Sequence, residues 1–234
     1  MLHAAGRRFF RDVLDHTVRT RFLAGASVLK GGFILACNHP SHLDPIIVSI
    51  LVRRKIHWMA RIEFYRSRWS STLLHLFSAF PVDREGFALG PMRRAILLAK
   101  AGSVVGICPE GEVRRDRTSV LRSGVVKRGM GLIAQRSGRP VVPCVVLGSE
   151  ALLKFGVYRM SKPCCLWVAC GDPIYAPRSA TRREGRRLLT EQVESAMRRL
   201  HVELRRDIAD SWARKRGLHL IEGNSNDDDC ARFH

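Results

Sequence analysis

No apolar run in this 234-residue chain approaches the roughly 20 positions that a membrane-spanning helix needs; stretches such as Ile46 to Val52 fall far short. Any membrane contact is therefore expected to be peripheral. The first residues also lack the uninterrupted apolar core of a signal peptide, because Arg7, Arg8, Arg11, Asp12 and Asp15 break it, so no export is expected. Among the cysteines at 37, 108, 144, 164, 165, 170 and 230 there is no C-x-x-C pair. That spacing suits neither a disulfide framework nor a zinc site and points to reduced, buried thiols in a cytoplasmic protein. No internal repeat is present.

Acidic residues are scarce as well. Lys+Arg number 40 against 21 Asp+Glu, a formal net charge of +19. Such an excess calls for an anionic partner: nucleic acid, an anionic membrane surface or a phosphorylated substrate. Zinc fingers, an RNA-recognition aromatic block and a helix-turn-helix are all missing, so charge alone gives only non-specific nucleic-acid affinity and no specific nucleic acid is expected. The length suits one large domain, and an apolar content of 46% is ordinary for a globular chain.

What the chain does have is a concentrated corner, Asn38-His39-Pro40-Ser41-His42-Leu43-Asp44, directly after the apolar run Phe33 to Cys37. On a continuous helix, positions five apart point roughly 140° away from each other. His39 and Asp44 can therefore meet only if the backbone turns between them, which Pro40 and Pro45 favour. Once together, the carboxylate would hold one imidazole nitrogen and leave the other as a base for a hydroxyl proton. The structural alternative makes Asp44 the N-cap of a helix starting at Pro45. The two are compatible. His42 beside this pair superficially suggests a metallohydrolase cluster, but a zinc site needs about three protein ligands, and with no second compact His/Asp group no metal is expected.

Around this corner the apolar pattern alternates between strands and helices. Residues 7 to 23 carry Phe10, Val13, Leu14, Thr17, Val18 and Phe22 at helical spacing among Arg7, Arg8, Arg11, Arg19 and Arg21, which predicts an amphipathic basic helix packed either on the core or on anionic lipid. A helix over 45–52, a strand over 56–60 and a helical stripe within 63–80 follow. The stripe, with Phe64, Tyr65, Trp69, Leu73, Leu76, Phe77 and Phe80, reads as core or as an acyl-chain or membrane face. Next come a loop or strand end at 81–86, a helix over 92–100, a strand over 104–108, a helix over 129–135 and strands over 141–147 and 166–174. A long basic helix over 184–212 and a disordered tail from about residue 218 complete the chain. The order predicts an α/β domain at 32–217, with a mostly parallel central sheet flanked by helices, behind an N-terminal amphipathic segment at 1–31. Ligands in such sheets bind beyond the carboxyl ends of the strands, where His39, Arg84 and Glu110 each fall.

Four blocks in this order resemble the glycerolipid acyltransferases, the family that includes bacterial 1-acyl-glycerol-3-phosphate acyltransferase. Asn38-His39-x4-Asp44 resembles its N-H-x4-D block, and Pro81-Val82-Asp83-Arg84 an apolar pair followed by Asp-Arg. Cys108-Pro109-Glu110-Gly111 resembles the block usually written F-P-E-G-T-R, and Pro140-Val141-Val142-Pro143-Cys144-Val145 the fourth. Val126-Lys127-Arg128-Gly129 is similar to the F-K-x-G step before a helix. Each block alone is weak evidence; the ordered set is specific.

The resemblance implies transfer of a fatty acyl group from a thioester, acyl-CoA or acyl carrier protein, to a hydroxyl of a lysophospholipid acceptor, with no cofactor. In that reaction His39 is the general base and Asp44 orients it. Arg84 supplies a fork of donors for a phosphate, and by the same analogy Glu110 and Gly111 line the acceptor site. One departure stands out: E-G-T-R becomes Glu110-Gly111-Glu112-Val113-Arg114, which shifts the arginine by one place and inserts a carboxylate. Arg114, Arg61 or Arg115 then has to reach the phosphate, and Glu112 would repel it unless an arginine neutralises that charge. The expected setting is the inner face of a membrane, with basic helices steering the protein to anionic lipid.

Overall fold

The structure is a computed structural model and describes residues 18–24, 31–52, 54–83, 89–115, 117–122, 124, 126–127, 129–150, 164–177 and 181–215. Arg84, the tail expected from residue 218 and the part of the N-terminal helix before Val18 lie outside the described residues. The chain divides into two compact units, Met1–His201 and Val202–His234. The second unit contains the last turns of the final helix, in which Leu204 and Ser211 are buried.

In the first unit the apolar strand runs form one sheet. Its strands are β1 (Val18–Ala24), β2 (Phe33–Cys37), β3 (Ile56–Arg61), β4 (Phe80–Val82), β5 (Val104–Ile107), β6 (Val141–Leu147) and β7 (Cys164–Cys170), in the spatial order β1-β7-β6-β2-β5-β3-β4. All neighbours are parallel except β6 and β7, which run antiparallel. The helices are α1 (Asp44–Leu51), α2 (Arg68–Leu76), α3 (Leu89–Lys100), α4 (Gly129–Ser137) and α5 (Arg182–Lys215), with a 3-10 turn at Ile62–Tyr65 before α2. This is the α/β architecture expected, with a largely parallel sheet between helices.

Strand β2 explains why its sequence is apolar without a break. Phe33, Leu35 and Cys37 join the cluster formed with Ile47, Val48 and Ile50 of α1 and Phe77 after α2. Ile34 and Ala36 join the opposite cluster, with Ala95 and Ala99 of α3, Met130 and Ile133 of α4, and Leu189, Val193 and Met197 of α5. A strand covered on both faces has no position left for a polar side chain. Helix α1, which begins with Asp44, is fixed to the sheet by Trp58 of β3, whose indole Nε1–H donates to Ser49 Oγ at 2.8 Å. Gly106 on β5 is what admits the Trp58 ring, since a Cβ there would lie 2.5 Å from it.

The helix expected over 7–23 is corrected where it is described: Val18–Ala24 is strand β1, paired in parallel with β7. Within that stretch Val18, Thr20 and Phe22 alternate with Arg19, Arg21 and Leu23, a period of two, and β-branched residues suit a sheet edge. The single helical stripe expected within 63–80 is also interrupted, by the turn between Tyr65 and Arg68 and by β4 at Phe80.

Candidate active site

Strand β2 lies between β6 and β5, and the carboxyl ends of these three parallel strands open onto one corner of the sheet. His39 follows β2, Cys108 through Arg115 follow β5, and Ser149 follows β6. Asn38 joins two of these ends, because its Nδ2–H donates to Val146 O at 3.0 Å and its Oδ1 accepts from Val146 N–H at 2.7 Å. The side-chain amide thus continues the backbone ladder for one more step beyond the strand.

The turn required between His39 and Asp44 is present. Asp44 Oδ2 lies 3.0 Å from His39 Nδ1 and accepts the Ser41 N–H at 2.7 Å, while Oδ1 accepts the Ser149 hydroxyl at 2.5 Å. A carboxylate only accepts, so in the neutral imidazole the proton belongs on Nδ1 and Nε2 carries the free lone pair. The capping alternative is separated by the same contacts: Leu43, not Asp44, is the N-cap of α1, and no side chain caps it. Asp44 is fully buried and the His39 side chain 13% exposed. Burial raises the Asp44 carboxyl, against the lowering effect of the hydrogen bonds from His39, Ser149 and Ser41. For His39, burial disfavours the imidazolium. The nearby Cys108 and the Asp44 carboxylate outweigh it and push the group up to about 10.

Glu110 holds this corner from the opposite side. It is 3% exposed; Oε2 accepts the His39 backbone N–H at 2.9 Å, and Oε1 accepts both the Ser119 hydroxyl and the Val120 N–H at 2.8 Å. Three of the roughly four lone-pair sites of a carboxylate are therefore used on the protein itself. The segment after it wraps the histidine: Arg114 N–H donates to His39 O at 2.9 Å and Arg115 Nε–H to Pro40 O at 2.7 Å. Helix α5 supports the loop beneath, through Arg198 donating to Val120 O at 3.1 Å and Glu194 accepting the Val126 N–H at 2.8 Å.

The arginines expected to bind phosphate are more loosely placed. Arg114 pairs with Glu112 and Arg61 with Glu63 at 3.3 Å, all four side chains being at least one-third exposed. The carboxylate inserted in the third block thus has an arginine to neutralise it. Gly111 adopts φ +81°, which favours glycine, and the Lys127 side chain lies across it, its Nζ 2.5 Å from where a Cβ would stand. Arg84 is outside the described residues. His42 stacks edge-on against His39, centroids 5.9 Å apart, and against Phe64 at 5.4 Å, so its ring belongs to an aromatic path leading outward. Ser149, Cys108 and Lys127 were not among the expected site residues. Lys127 alone had a sequence signal, its K-x-G step before α4.

A family model for acyltransferases matches residues 13–147 of this chain. The 1-acyl-sn-glycerol-3-phosphate acyltransferase of Bacillus subtilis (strain 168) is 36% identical over 121 residues, which cover 51% of this chain and 58% of that protein. The chain thus spans a little over half the length of that relative. Among solved structures, the 1-acyl-sn-glycerophosphate (LPA) acyltransferase PlsC from Thermotoga maritima superposes with a TM-score of 0.58 at 19% identity, covering 85% of this chain and 78% of the other. That likeness shows a shared fold.

Proposed function

Because the chain belongs to the acyltransferase family, whose model matches more than half of it, we propose that it moves a fatty acyl group from an acyl thioester to a hydroxyl of a lysophospholipid. The acceptor that fits best is 1-acyl-glycerol-3-phosphate, giving phosphatidic acid, and the donor is acyl-CoA or acyl carrier protein. The observation that carries this reading is the His39–Asp44 pair at 3.0 Å, with Nε2 directed away from the carboxylate. A hydroxyl is a poor nucleophile near neutral pH. His39 Nε2 takes its proton as the oxygen attacks the thioester carbonyl, then returns that proton to the departing thiolate. Asp44 keeps Nδ1 protonated and stabilises the imidazolium between the two transfers.

Phosphate recognition falls to Arg84, Arg61 and Arg114, with Lys127 over Gly111 as a further cation. The Arg114–Glu112 and Arg61–Glu63 pairs are exposed, and such pairs contribute about 0–1 kcal/mol, so an arriving phosphate dianion displaces the carboxylates readily. The partner surface is anionic lipid. Supporting this, Trp69 is 88% exposed and Ile62 and Phe64 about 40%, with Arg66 and Arg68 exposed among them. Large apolar side chains flanked by arginines suit the headgroup boundary of a bilayer. Phe64 continues through His42 to His39, so an acceptor can keep its acyl chain in lipid while its hydroxyl reaches the base. Among the described residues no helix is long and apolar enough to cross a membrane.

The test is acyl transfer from labelled acyl-CoA and acyl carrier protein to a panel of lysolipids, with wild type beside His39→Ala. Loss on the order of 10²–10⁴-fold is expected, the range a general base supplies; equal activity in the variant sinks the mechanism. In flotation with anionic vesicles at physiological salt, Trp69→Ser should leave more protein unbound than wild type. Retention on DNA with no vesicle binding would favour a nucleic-acid protein instead.

A further inference from the structure

The two faces of the sheet are covered by different helices. Ile47 and Val48 of α1 are buried in one cluster, and Leu73, Leu74 and Leu76 of α2 pack against it. The exposed Trp69 and Arg68 belong to α2 and Phe64 to the turn before it, so the surface suited to lipid lies on this side. Helix α3 covers the other face, with Ala95 and Ala99 buried against Ile34 and Ala36 of β2. It connects β4 to β5, both of which pair in parallel with β3. A crossover helix between parallel strands starts beyond their carboxyl ends, so the first residues of α3 stand at the same end of the sheet as His39. Away from the sheet α3 is uncovered. Leu89 is 71% exposed and Leu97 56%, and Gly90, Arg93, Arg94, Leu97, Leu98 and Ala101, three or four residues apart, line one open groove of about 440 Å³. The Arg94 guanidinium lies over the Phe80 ring, 5.0 Å from its centroid. Arg93, Arg94 and Lys100 are exposed, and α3 contains no acid. Among the described residues no carboxylate forms an ion pair with any of the three.

We propose that the outer face of α3 is the docking surface for an acidic, helical carrier protein that delivers the acyl thioester. The proposal rests on the acyl-transfer reading above and chooses, between its two donors, the one held on a protein. Charge complementarity carries the choice. A partner helix lays its apolar positions against Leu89 and Leu97 and sets carboxylates along its edges against Arg93, Arg94 and Lys100. The net charge of +19 adds attraction at longer range. A nucleotide-bearing donor such as acyl-CoA needs a concave site that encloses it, whereas a groove lined by a single helix stays open on its far side and suits the flank of another helix. The 12 residues of α3 extend for about 18 Å, long enough for two helices to pack along several turns. Met92 also ties α3 to the acceptor side of the corner, since a Cβ on Gly129 would stand 3.7 Å from Met92 Cε, and Lys127, two residues earlier, lies across Gly111. A carrier on α3 therefore sends its acyl arm round the carboxyl end of the sheet to His39, while the acceptor comes from lipid on the opposite face. Donor and acceptor do not compete for one entrance.

The experiment titrates the full chain into fluorescently labelled palmitoyl-acyl carrier protein without acceptor, and separately measures transfer to 1-acyl-glycerol-3-phosphate from that donor and from palmitoyl-CoA. Wild type should bind the carrier, and Arg93→Glu should weaken binding and raise KM for the carrier donor at least about tenfold, the low end of what charge steering supplies. KM for palmitoyl-CoA should be unchanged, which guards against a folding defect, and Arg93→Lys should behave as wild type. Added salt should weaken wild-type binding more steeply than that of Arg93→Glu. Leu97→Gln, which keeps every charge, should weaken carrier binding without flattening its salt dependence. The proposal is overturned by a carrier that does not bind wild type, by equal carrier binding in wild type and Arg93→Glu, or by KM values that rise equally for both donors. An Arg93→Glu protein that binds carrier normally but floats less with anionic vesicles, or changes its oligomeric size, gives the face to lipid or to a second copy and overturns the proposal as well. Transfer from palmitoyl-CoA with no carrier binding overturns the docking surface and leaves the function standing. Carrier binding that depends on Arg93, with no transfer to any lysolipid, overturns the acceptor reading and keeps the surface.

Discussion

Asp44 and Arg114 both belong to the same end of the sheet and both have a partner, but they are held very differently. Asp44 is fully buried and receives bonds from His39, Ser41 and Ser149, three groups brought in by β2, the turn before α1 and the end of β6. Arg114 is one-third exposed and its side chain pairs with Glu112, two residues away. Removing a partner from the first set leaves a buried polar group unsatisfied, at about 1–3 kcal/mol. Breaking the second releases two charges into water at little cost. The His39–Asp44 corner is therefore built to stay in one arrangement, while the rim at Arg114 is built from contacts that exchange.

Asp44→Asn strikes the rigid side of this contrast hardest. The amide cannot offer acceptors to the Ser149 hydroxyl, the Ser41 N–H and Nδ1 together, and it carries no charge to stabilise the imidazolium. A fall in kcat on the order of 10³ is expected, within the range for a disabled general base. Asp44 is also one of the groups that push His39 up to about 10, so the pH at which transfer switches on should move downward in the variant. The sign follows from the base being the neutral imidazole. In wild type the rate rises with pH as His39 deprotonates, and weakening the imidazolium brings that rise to lower pH. The same raised value means that His39 contributes stability fully below its ordinary value near 6.5, and that this contribution fades as pH climbs through about 10. A profile of kcat/KM against pH for both proteins is the measurement; an unmoved acid limb would show that the carboxylate does not act through His39.

Glu110→Gln probes the border between the two regions. If the amide keeps its oxygen toward Ser119 and Val120, its NH2 faces the His39 N–H and leaves one buried donor without an acceptor. A loss of about 1–3 kcal/mol in chemical denaturation follows from that orphaned group. A fall in kcat of roughly tenfold, with KM little changed, is expected because the base is displaced rather than the acceptor contacts removed. A KM effect without loss of stability would instead place Glu110 against substrate.

The same contrast explains what the sequence could and could not convey. His39 and Asp44 are five residues apart, so prolines on either side and an apolar run before them suffice to suggest a turn that joins them. Ser149 is 105 positions from Asp44, and nothing local marks it; only the β2–β6 register brings it there. Cys108 is equally silent, because a cysteine after an apolar strand reads as one more buried thiol until β5 is placed beside β2. Residues 18–24 satisfy helical spacing with the residues before them and strand alternation among themselves, and pairing with β7 decides the matter. The reversal of β7 against β6 has no local signature either, since a doubly covered strand looks alike in both directions.

Arg114→Ala should give the smallest change, and for that reason it reports on recognition most cleanly. Its exposed pair with Glu112 contributes no more than about 1 kcal/mol, so the denaturation midpoint should scarcely move. The backbone N–H that bonds to His39 O survives the substitution, which leaves the base in place and kcat near wild type. What changes is the charge facing the acceptor: Glu112 loses its neutralising partner and a guanidinium is missing. KM for a phosphate-bearing lysolipid should rise several-fold, by about the 1 kcal/mol that one exposed charged contact provides, whereas KM for an uncharged acylglycerol should not. The comparison is therefore made between two acceptors in one variant, which cancels any general effect on folding. Equal KM shifts for both would move phosphate recognition away from this segment and toward Arg61 and Arg84, leaving Arg114 to do no more than balance the carboxylate two residues before it.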